Sequence, residues 1–283
     1  MKIKNIGVAL RPNDENIANV YEKLKKKLKE FDVNVYLENS ASSQIGNNGY
    51  SYEELAEMCD ILISLGGDGT LLGLARKTCA YNKPLLGINA GTLGFLTTAS
   101  RDNFEDMIDN LFIGNYEVEE RMMMDLVVHT EFGESELVAL NDIVITKNLF
   151  SKMIDIKVES NDELINRYYG DGLIVSTPTG STAYNLSACG PVFFPLAKNF
   201  ILTPICPHSL SQRTLVLHYD MEIKLYAPCG SAIVIVDGQE SFTLGAKDYL
   251  TIKKNPVGAK FIMNKNFNHF KVLREKLHWG KER

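Results

Sequence analysis

The chain is 283 residues long, 45% hydrophobic and 23% charged, the balance of an ordinary globular protein with room for two cores. A formal net charge of −5 gives no general attraction to nucleic acid or to an anionic membrane, so neither is expected as a partner. The five cysteines are widely spaced with no C-x-x-C pair and the five histidines form no metal-spaced pair, which argues against a disulfide framework or a zinc knuckle and for a reduced, cytoplasmic setting.

The apolar stretch 6–10 is too short for a signal sequence and reads as the end of a first strand over 3–10. No segment approaches the length of a membrane span. Residues 16–31 have the pattern of a charged amphipathic helix, with Lys23, Lys25, Lys26, Lys27 and Lys29 as a solvated face. A strand over 33–37 leads into 38–50, which is rich in Ser, Asn and Gly and reads as a mobile loop. A short helix over 52–58 is followed by a buried strand over 61–65. In the next helix Leu71, Leu72, Ala75 and Cys79 share one face, and another strand covers 85–89. Alternating β and α units imply a parallel sheet, in which ligands sit beyond the carboxyl ends of the strands. The segments 66–69 and 89–94 fall there.

After residue 101 the texture changes. One helix over 103–111 precedes strand-like runs at 122–130, 137–146, 153–158, 172–176, 221–227, 232–236 and 249–252. Ile223, Leu225 and Ala227 alternate with Lys224 and Tyr226, the period of a sheet with one wet face. The expectation is a Rossmann-like α/β domain over 1–100 and a β-sandwich over 101–267, with a C-terminal helix over 268–283 packing back on the first domain.

Three glycines surround one carboxylate in Gly66-Gly67-Asp68-Gly69. Glycine admits a close ligand backbone and positive-φ turns, and the N-terminus of the next helix is a site for an anion such as phosphate. A purely structural alternative makes Asp68 a helix cap. Yet an aspartate repels phosphate, so its presence there suggests chemistry. A second glycine turn, Asn89-Ala90-Gly91-Thr92-Leu93-Gly94-Phe95, ends the neighbouring strand.

The segment Gly170-Asp171-Gly172 runs through a strand into Ser176-Thr177-Pro178-Thr179-Gly180-Ser181-Thr182-Ala183-Tyr184. A capped helix start explains one of these hydroxyls, not four within six positions. Ligand contacts to ribose, phosphate and base edges are therefore expected, with Tyr184 as a stacking face. Asn141-Asp142 interrupts an apolar run and is either a turn or an amide–carboxylate pair for adenine and ribose. Asp237-Gly238 reads first as a hairpin turn.

Taken together and in this order, Gly66–Gly69, 89–95, Asn141-Asp142, 170–187, Pro204-Ile205-Cys206-Pro207-His208-Ser209-Leu210 and Asp237-Gly238 resemble the NAD kinases across nearly the whole chain. The Gly-Gly-Asp-Gly turn alone is shared with phosphofructokinases and diacylglycerol-type lipid kinases. The run 170–184 is far more specific.

The resemblance implies transfer of the terminal phosphoryl group of ATP, or of polyphosphate in some members, to the 2′-hydroxyl of the adenosine ribose of NAD, giving NADP. It implies Asp68 as general base and a phosphate site lined by Gly66, Gly67 and Gly69. For NAD it implies contacts from Asp68, Gly69, Phe95, Asn141, Asp142, Asp171, Thr182, Ala183, Tyr184, Ser187, Cys206 and His208. It also implies magnesium or another divalent cation with ATP, its protein ligands unidentified, and a homodimer or homotetramer. Asp142 departs from the family's usual Glu and is shorter by one methylene. Tyr169 stands where the family has Arg, and Arg167 compensates only if it points toward the substrate. Cys189 replaces a usual Gly and reads as a small buried residue. Another Gly-Gly-Asp-Gly kinase, acting on lipid or sugar, and a silent dinucleotide sensor remain as alternatives; retention of Asp68 speaks against the sensor.

Overall fold

Three runs without a charged residue, 6–10, 61–66 and 84–89, form the middle of a parallel sheet, as apolar strands covered on both faces should. The computed structural model describes residues 3–14, 16–45, 49–91, 94–148 and 153–280. The first elements are β1 (Asn5–Leu10), α1 (Ile17–Lys29), β2 (Asn34–Leu37), α2 (Asn39–Ile45), α3 (Tyr52–Met58), β3 (Ile61–Gly66), α4 (Asp68–Thr78), β4 (Pro84–Asn89), β5 (Ala99–Ser100), α5 (Phe104–Phe112) and β6 (Tyr116–Arg121). All six residues of β3 are buried. Helix α1 buries Ile17, Val20, Tyr21, Leu24 and Leu28, spaced as one helical face requires.

Residues 39–45 form a helix instead of the expected loop. Buried Glu38 accepts the N–H of Ala41 at 3.2 Å and the Ser40 hydroxyl, so the helix start is satisfied by a side chain. Ser and Asn are poor in helix interiors, which hid this short helix in the sequence. Residues 46–48 of the same expected loop lie outside the described residues.

The chain continues through β7 (Met124–Thr130), β8 (Gly133–Ala139), β9 (Asp142–Lys147), β10 (Ile154–Ser160), β11 (Glu163–Gly170) and β12 (Gly172–Ser176). A 3-10 turn (Thr179–Thr182) and α6 (Tyr184–Ser187) precede β13 (Asn199–Ile205), β14 (Leu215–His218), β15 (Ile223–Tyr226), β16 (Ala232–Val236), β17 (Glu240–Leu244) and β18 (Tyr249–Lys254). Last come β19 (Ala259–Asn264) and α7 (His269–Leu277).

The first sheet has the order β2-β1-β3-β4-β19-β6, with β5 on β4. Two antiparallel sheets, β11-β10-β15-β18-β7-β8 and β14-β13-β12-β9-β16-β17, share one apolar core to which Leu126, Ile156 and Leu250 contribute from the first and Leu173, Ile145 and Val234 from the second. That is a β-sandwich, as expected. The predicted strand over 137–146 is broken: β8 belongs to one sheet and β9 to the other, so Leu140 and Asn141 turn the corner between them.

Two compact units result, one of 1–120 with 259–283 and one of 121–258. The borders expected from sequence, 100/101 and 267/268, lie 20 residues before and 9 after those of the structure, at 120/121 and 258/259. Strand β19 and helix α7 belong to the first unit, where the α7 residue His269 meets Glu119 at 2.9 Å. Among the described residues no helix is long and apolar enough to cross a membrane.

Candidate active site

In the first unit the turn expected to carry the chemistry follows β3. None of Gly66, Gly67 and Gly69 has positive φ, and Gly67, the cap of α4, sits at φ −111°. The expectation that these glycines serve strained turns is therefore corrected. At Gly66 a β-carbon would collide with the Thr70 side chain and come within 3.0 Å of the Arg11 β-carbon. At Gly67 and Gly69 a β-carbon would meet nothing within 4 Å. What glycine provides at these two positions is open space in front of a helix N-terminus, the positive end of its dipole.

Asp68 is the first residue of α4 and is half-buried. Its Oδ2 accepts the N–H of Phe95 at 2.7 Å, and its Oδ1 accepts those of Leu96 at 3.1 Å and Thr97 at 3.3 Å. A carboxylate offers about four acceptor positions, so Oδ2 keeps one free of these bonds. The loop it holds is fixed from the other side as well. Thr97 Oγ1 accepts the N–H of Gly94 at 3.0 Å and the Asn89 amide at 3.3 Å, and Asn89 Oδ1 accepts the N–H of Gly91 at 2.9 Å. Thr92 and Leu93 of the second glycine turn lie outside the described residues. The structure thus joins Asp68 to Phe95 through a carboxylate–amide clamp, a link between residues 27 positions apart that no local pattern signals.

Arg11 also went unnoticed. It follows β1 at the same carboxyl edge, its N–H donates to Leu65 O at 2.9 Å, and its side chain is exposed. Among the described residues its guanidinium carries no hydrogen bond or ion pair.

In the second unit, the residues expected to bind NAD gather at both ends of the antiparallel pair β9–β12, in which Asp142 faces Ser176 and Thr146 faces Gly172. At one end Asp142 is buried, with the Tyr184 N–H near its carboxyl. Burial first, then the nearby charge of Asp237, pushes its pKa up to about 7, against the opposing pull of that N–H. The Asn141 amide side chain is half-buried and has no hydrogen bond among the described residues. Thr182 and Ala183 are half-buried, and Tyr184 and Ser187 are exposed on the same segment.

The hydroxyl cluster is corrected. Ser176, Thr177, Thr179 and Ser181 are all buried. Ser176 Oγ donates to the carbonyl of Thr177 at 2.9 Å, Thr177 Oγ1 to that of Leu140 at 2.6 Å and Ser181 Oγ to that of Pro178 at 2.7 Å. Three of the four hydroxyls therefore brace the corner and the 3-10 turn. Gly180 serves the same packing, since a β-carbon there would strike the Asn141 backbone. Asn185, fully buried, completes the brace by donating to Ser181 O and Pro191 O at 3.1 and 3.0 Å while accepting from Thr203 Oγ1 at 2.6 Å. Cys189 is exposed with φ +61°, not buried; it holds the left-handed position after α6 where glycine is preferred.

At the other end Asp171 pairs with Lys147 at 2.6 Å, both partly exposed. Its N–H donates to Ile205 O at 3.0 Å, which brings Cys206 alongside. Exposed His208 donates its N–H to Tyr169 O at 2.9 Å, and the two rings meet edge-on at 5.9 Å. Arg167 lies two residues before Tyr169 on β11 and approaches Asp155 at 4.0 Å. Asp237, which the sequence places first in a hairpin turn, has a second role here that sequence reasoning did not anticipate. Its carboxylate accepts the N–H groups of Leu140, Asn141 and Asp142 at 2.7, 2.8 and 2.8 Å.

Comparison with known proteins finds relatives over nearly the whole chain. Residues 6–116 match the ATP-NAD kinase N-terminal domain and residues 140–264 the ATP-NAD kinase C-terminal domain. The NAD kinase of Sulfurimonas denitrificans is 42% identical over 278 residues, 98% of each chain. That of Wolinella succinogenes is 40% identical over 279 residues, 98% of this chain and 96% of the relative. A crystal structure of an NAD kinase from Archaeoglobus fulgidus in complex with ATP superposes with a TM-score of 0.77 at 31% identity, covering 97% and 98% of the two chains. The structure of yeast NADH kinase complexed with NADH shares the fold, with a TM-score of 0.91 at 22% identity over 100% of this chain and 90% of that one. The chain belongs to the NAD kinase family.

Proposed function

We propose that this protein transfers the terminal phosphoryl group of ATP to the 2′-hydroxyl of the adenosine ribose of NAD, giving NADP and ADP. The observation that carries the reading is Asp68: a carboxylate at the mouth of the phosphate turn, clamped by three amides and with an acceptor position left on Oδ2. In this reading Oδ2 takes the hydroxyl proton as the ribose oxygen bonds to phosphorus and the bridging oxygen leaves with ADP. Phosphoryl transfer asks the protein mainly for positioning and charge neutralisation. Open space at Gly67 and Gly69 supports a phosphate there, and so does Arg11 at the same edge, whose guanidinium has no hydrogen bond or ion pair among the described residues.

A divalent cation fits this site as a companion of the nucleotide. Among the described residues no group of three or more His, Cys, Asp or Glu side chains could hold a metal, and the Asp68 oxygens already serve amides. Magnesium is commonly held by one or two carboxylates plus substrate phosphates, and there it neutralises phosphate charge.

In the second unit, Asn141, Asp142, Thr182, Ala183, Tyr184 and Ser187 are inferred to hold one end of the dinucleotide and Asp171, Cys206 and His208 the other. The span of β12 supports this: five strand steps separate Asp171 from Ser176, roughly 17 Å, which suits two ends of one extended ligand. A homodimer or homotetramer and a cytoplasmic setting complete the proposal, the latter supported by five free cysteines. The test is an activity matrix of NAD and NADH against ATP and polyphosphate with magnesium. NADP formation from NAD and ATP is expected, and no NADP above a no-enzyme control would refute the assignment.

A further inference from the structure

We propose that Asp237 is a positioning residue for dinucleotide binding, holding the Asn141–Asp142 pair in its presenting geometry through the backbone of residues 140–142. The proposal rests on the reading that Asn141 and Asp142 touch NAD.

As a hairpin turn alone, Asp237-Gly238 needs no carboxylate. Both residues have positive φ, +51° and +65°, and Asn or Gly would serve equally at 237. Only the corner demands the acid. Leu140 and Asn141 cross from one sheet to the other, so their N–H groups cannot enter a ladder. The Asp237 carboxylate receives both, together with the N–H of Asp142, and returns its own N–H to Asp142 O at 2.9 Å. Leu140 is fully buried and Asp142 nearly so, so without this acceptor their N–H groups would be orphaned away from water. The carbonyls of the same corner are held from the opposite side by the Thr177 hydroxyl on Leu140 O and the Thr177 N–H on Asn141 O, 2.9 Å. The backbone is thereby fixed on both sides, and that direction decides where the Asn141 amide points. The negative charge of Asp237 also helps keep the Asp142 carboxyl protonated up to about 7, so that Asp142 offers a hydrogen-bond donor as well as acceptors near neutrality.

The experiment compares Asp237→Asn, Asp237→Glu and Asn141→Ala in the full chain, measuring KM for NAD, KM for ATP, kcat and melting temperature. Asn turns an NH2 group toward an N–H that needs an acceptor, and Glu moves the retained charge by one methylene. Each is expected to raise KM for NAD about tenfold while KM for ATP and kcat stay within about threefold. Should the Asn variant not fold, the Glu variant carries the comparison. A parallel loss in KM for ATP and kcat would mark a general structural role and overturn the proposal. So would an unchanged KM for NAD in both Asp237 variants while Asn141→Ala raises it. If Asn141→Ala leaves KM for NAD unchanged, the assignment of the corner to NAD fails first, and the proposal falls with it.

Discussion

Asp68 and Gly94 compete for one small volume: a β-carbon on residue 94 would overlap the Asp68 carboxylate. Gly94 is buried, and the Asp68 side chain leaves no room there for anything larger than hydrogen. Gly94→Ala is expected to push the carboxylate aside and lower kcat about 100-fold, since small misplacements of a catalytic group are costly. Steady-state kinetics beside a melting curve checks this. Unchanged kcat in a folded variant would detach Asp68 from turnover.

Asp68→Asn tests the base directly. The amide keeps one oxygen for the loop N–H groups but turns an NH2 toward another, which costs about 1–3 kcal/mol of stability. Turnover is expected to fall roughly 10²–10⁴-fold with loss of the proton acceptor, while NAD binding measured by calorimetry persists.

Asp142 makes stability depend on pH with a sign opposite to that of most carboxylates. Its folded pKa of about 7 lies above the ordinary value of 3.8, so between those values the folded state binds more protons than the unfolded one. Stability contributed here is full at low pH and is lost as pH rises from about 4 to about 7, by roughly 2–4 kcal/mol in all. Asp142→Asn, which cannot ionise, should gain in urea midpoint relative to the parent chain at pH 8 and lose that advantage at pH 5. Parallel midpoints at both pH values would show that Asp142 ionises normally.

Cys189→Gly should stabilise the protein by about 1 kcal/mol, because a side chain at φ +61° is strained and glycine is not. Thermal unfolding checks the direction. A lower melting temperature would mean that the cysteine side chain contributes packing that offsets its strain.

The parallel strands and their helices were legible because burial on both faces leaves nearly unbroken apolar runs, as in 61–66, and because α1 repeats its apolar residues at helical spacing. Strand β6 was not legible: Tyr116 and Val118 alternate with Glu117 and Glu119 for only four residues before Glu120 and Arg121 end the pattern, and Val118 is exposed. The Gly-Gly-Asp-Gly turn could be found from composition, yet the reason for its glycines could not, since empty space is a property of what lies opposite. The hydroxyl cluster was visible as a cluster, but residue type does not say whether an O–H points inward. Ser176, Thr177 and Ser181 point inward because the corner at 140–141 leaves carbonyls and turns that need them. Asp237 escaped for a related reason. Its three bonds reach 95 to 97 positions back along the chain, a distance no local pattern records.

Strand β19 lies between β4 and β6, although β6 is synthesised some 140 residues earlier. During translation β6 therefore emerges with no neighbour and must wait until residues 259–264 leave the ribosome before its edge is paired. The sandwich of residues 121–258 is complete by then and can fold first, while the unit bearing Asp68 closes last. Truncation just before residue 259 should accordingly spare the later-encoded sandwich and unfold the earlier-encoded half.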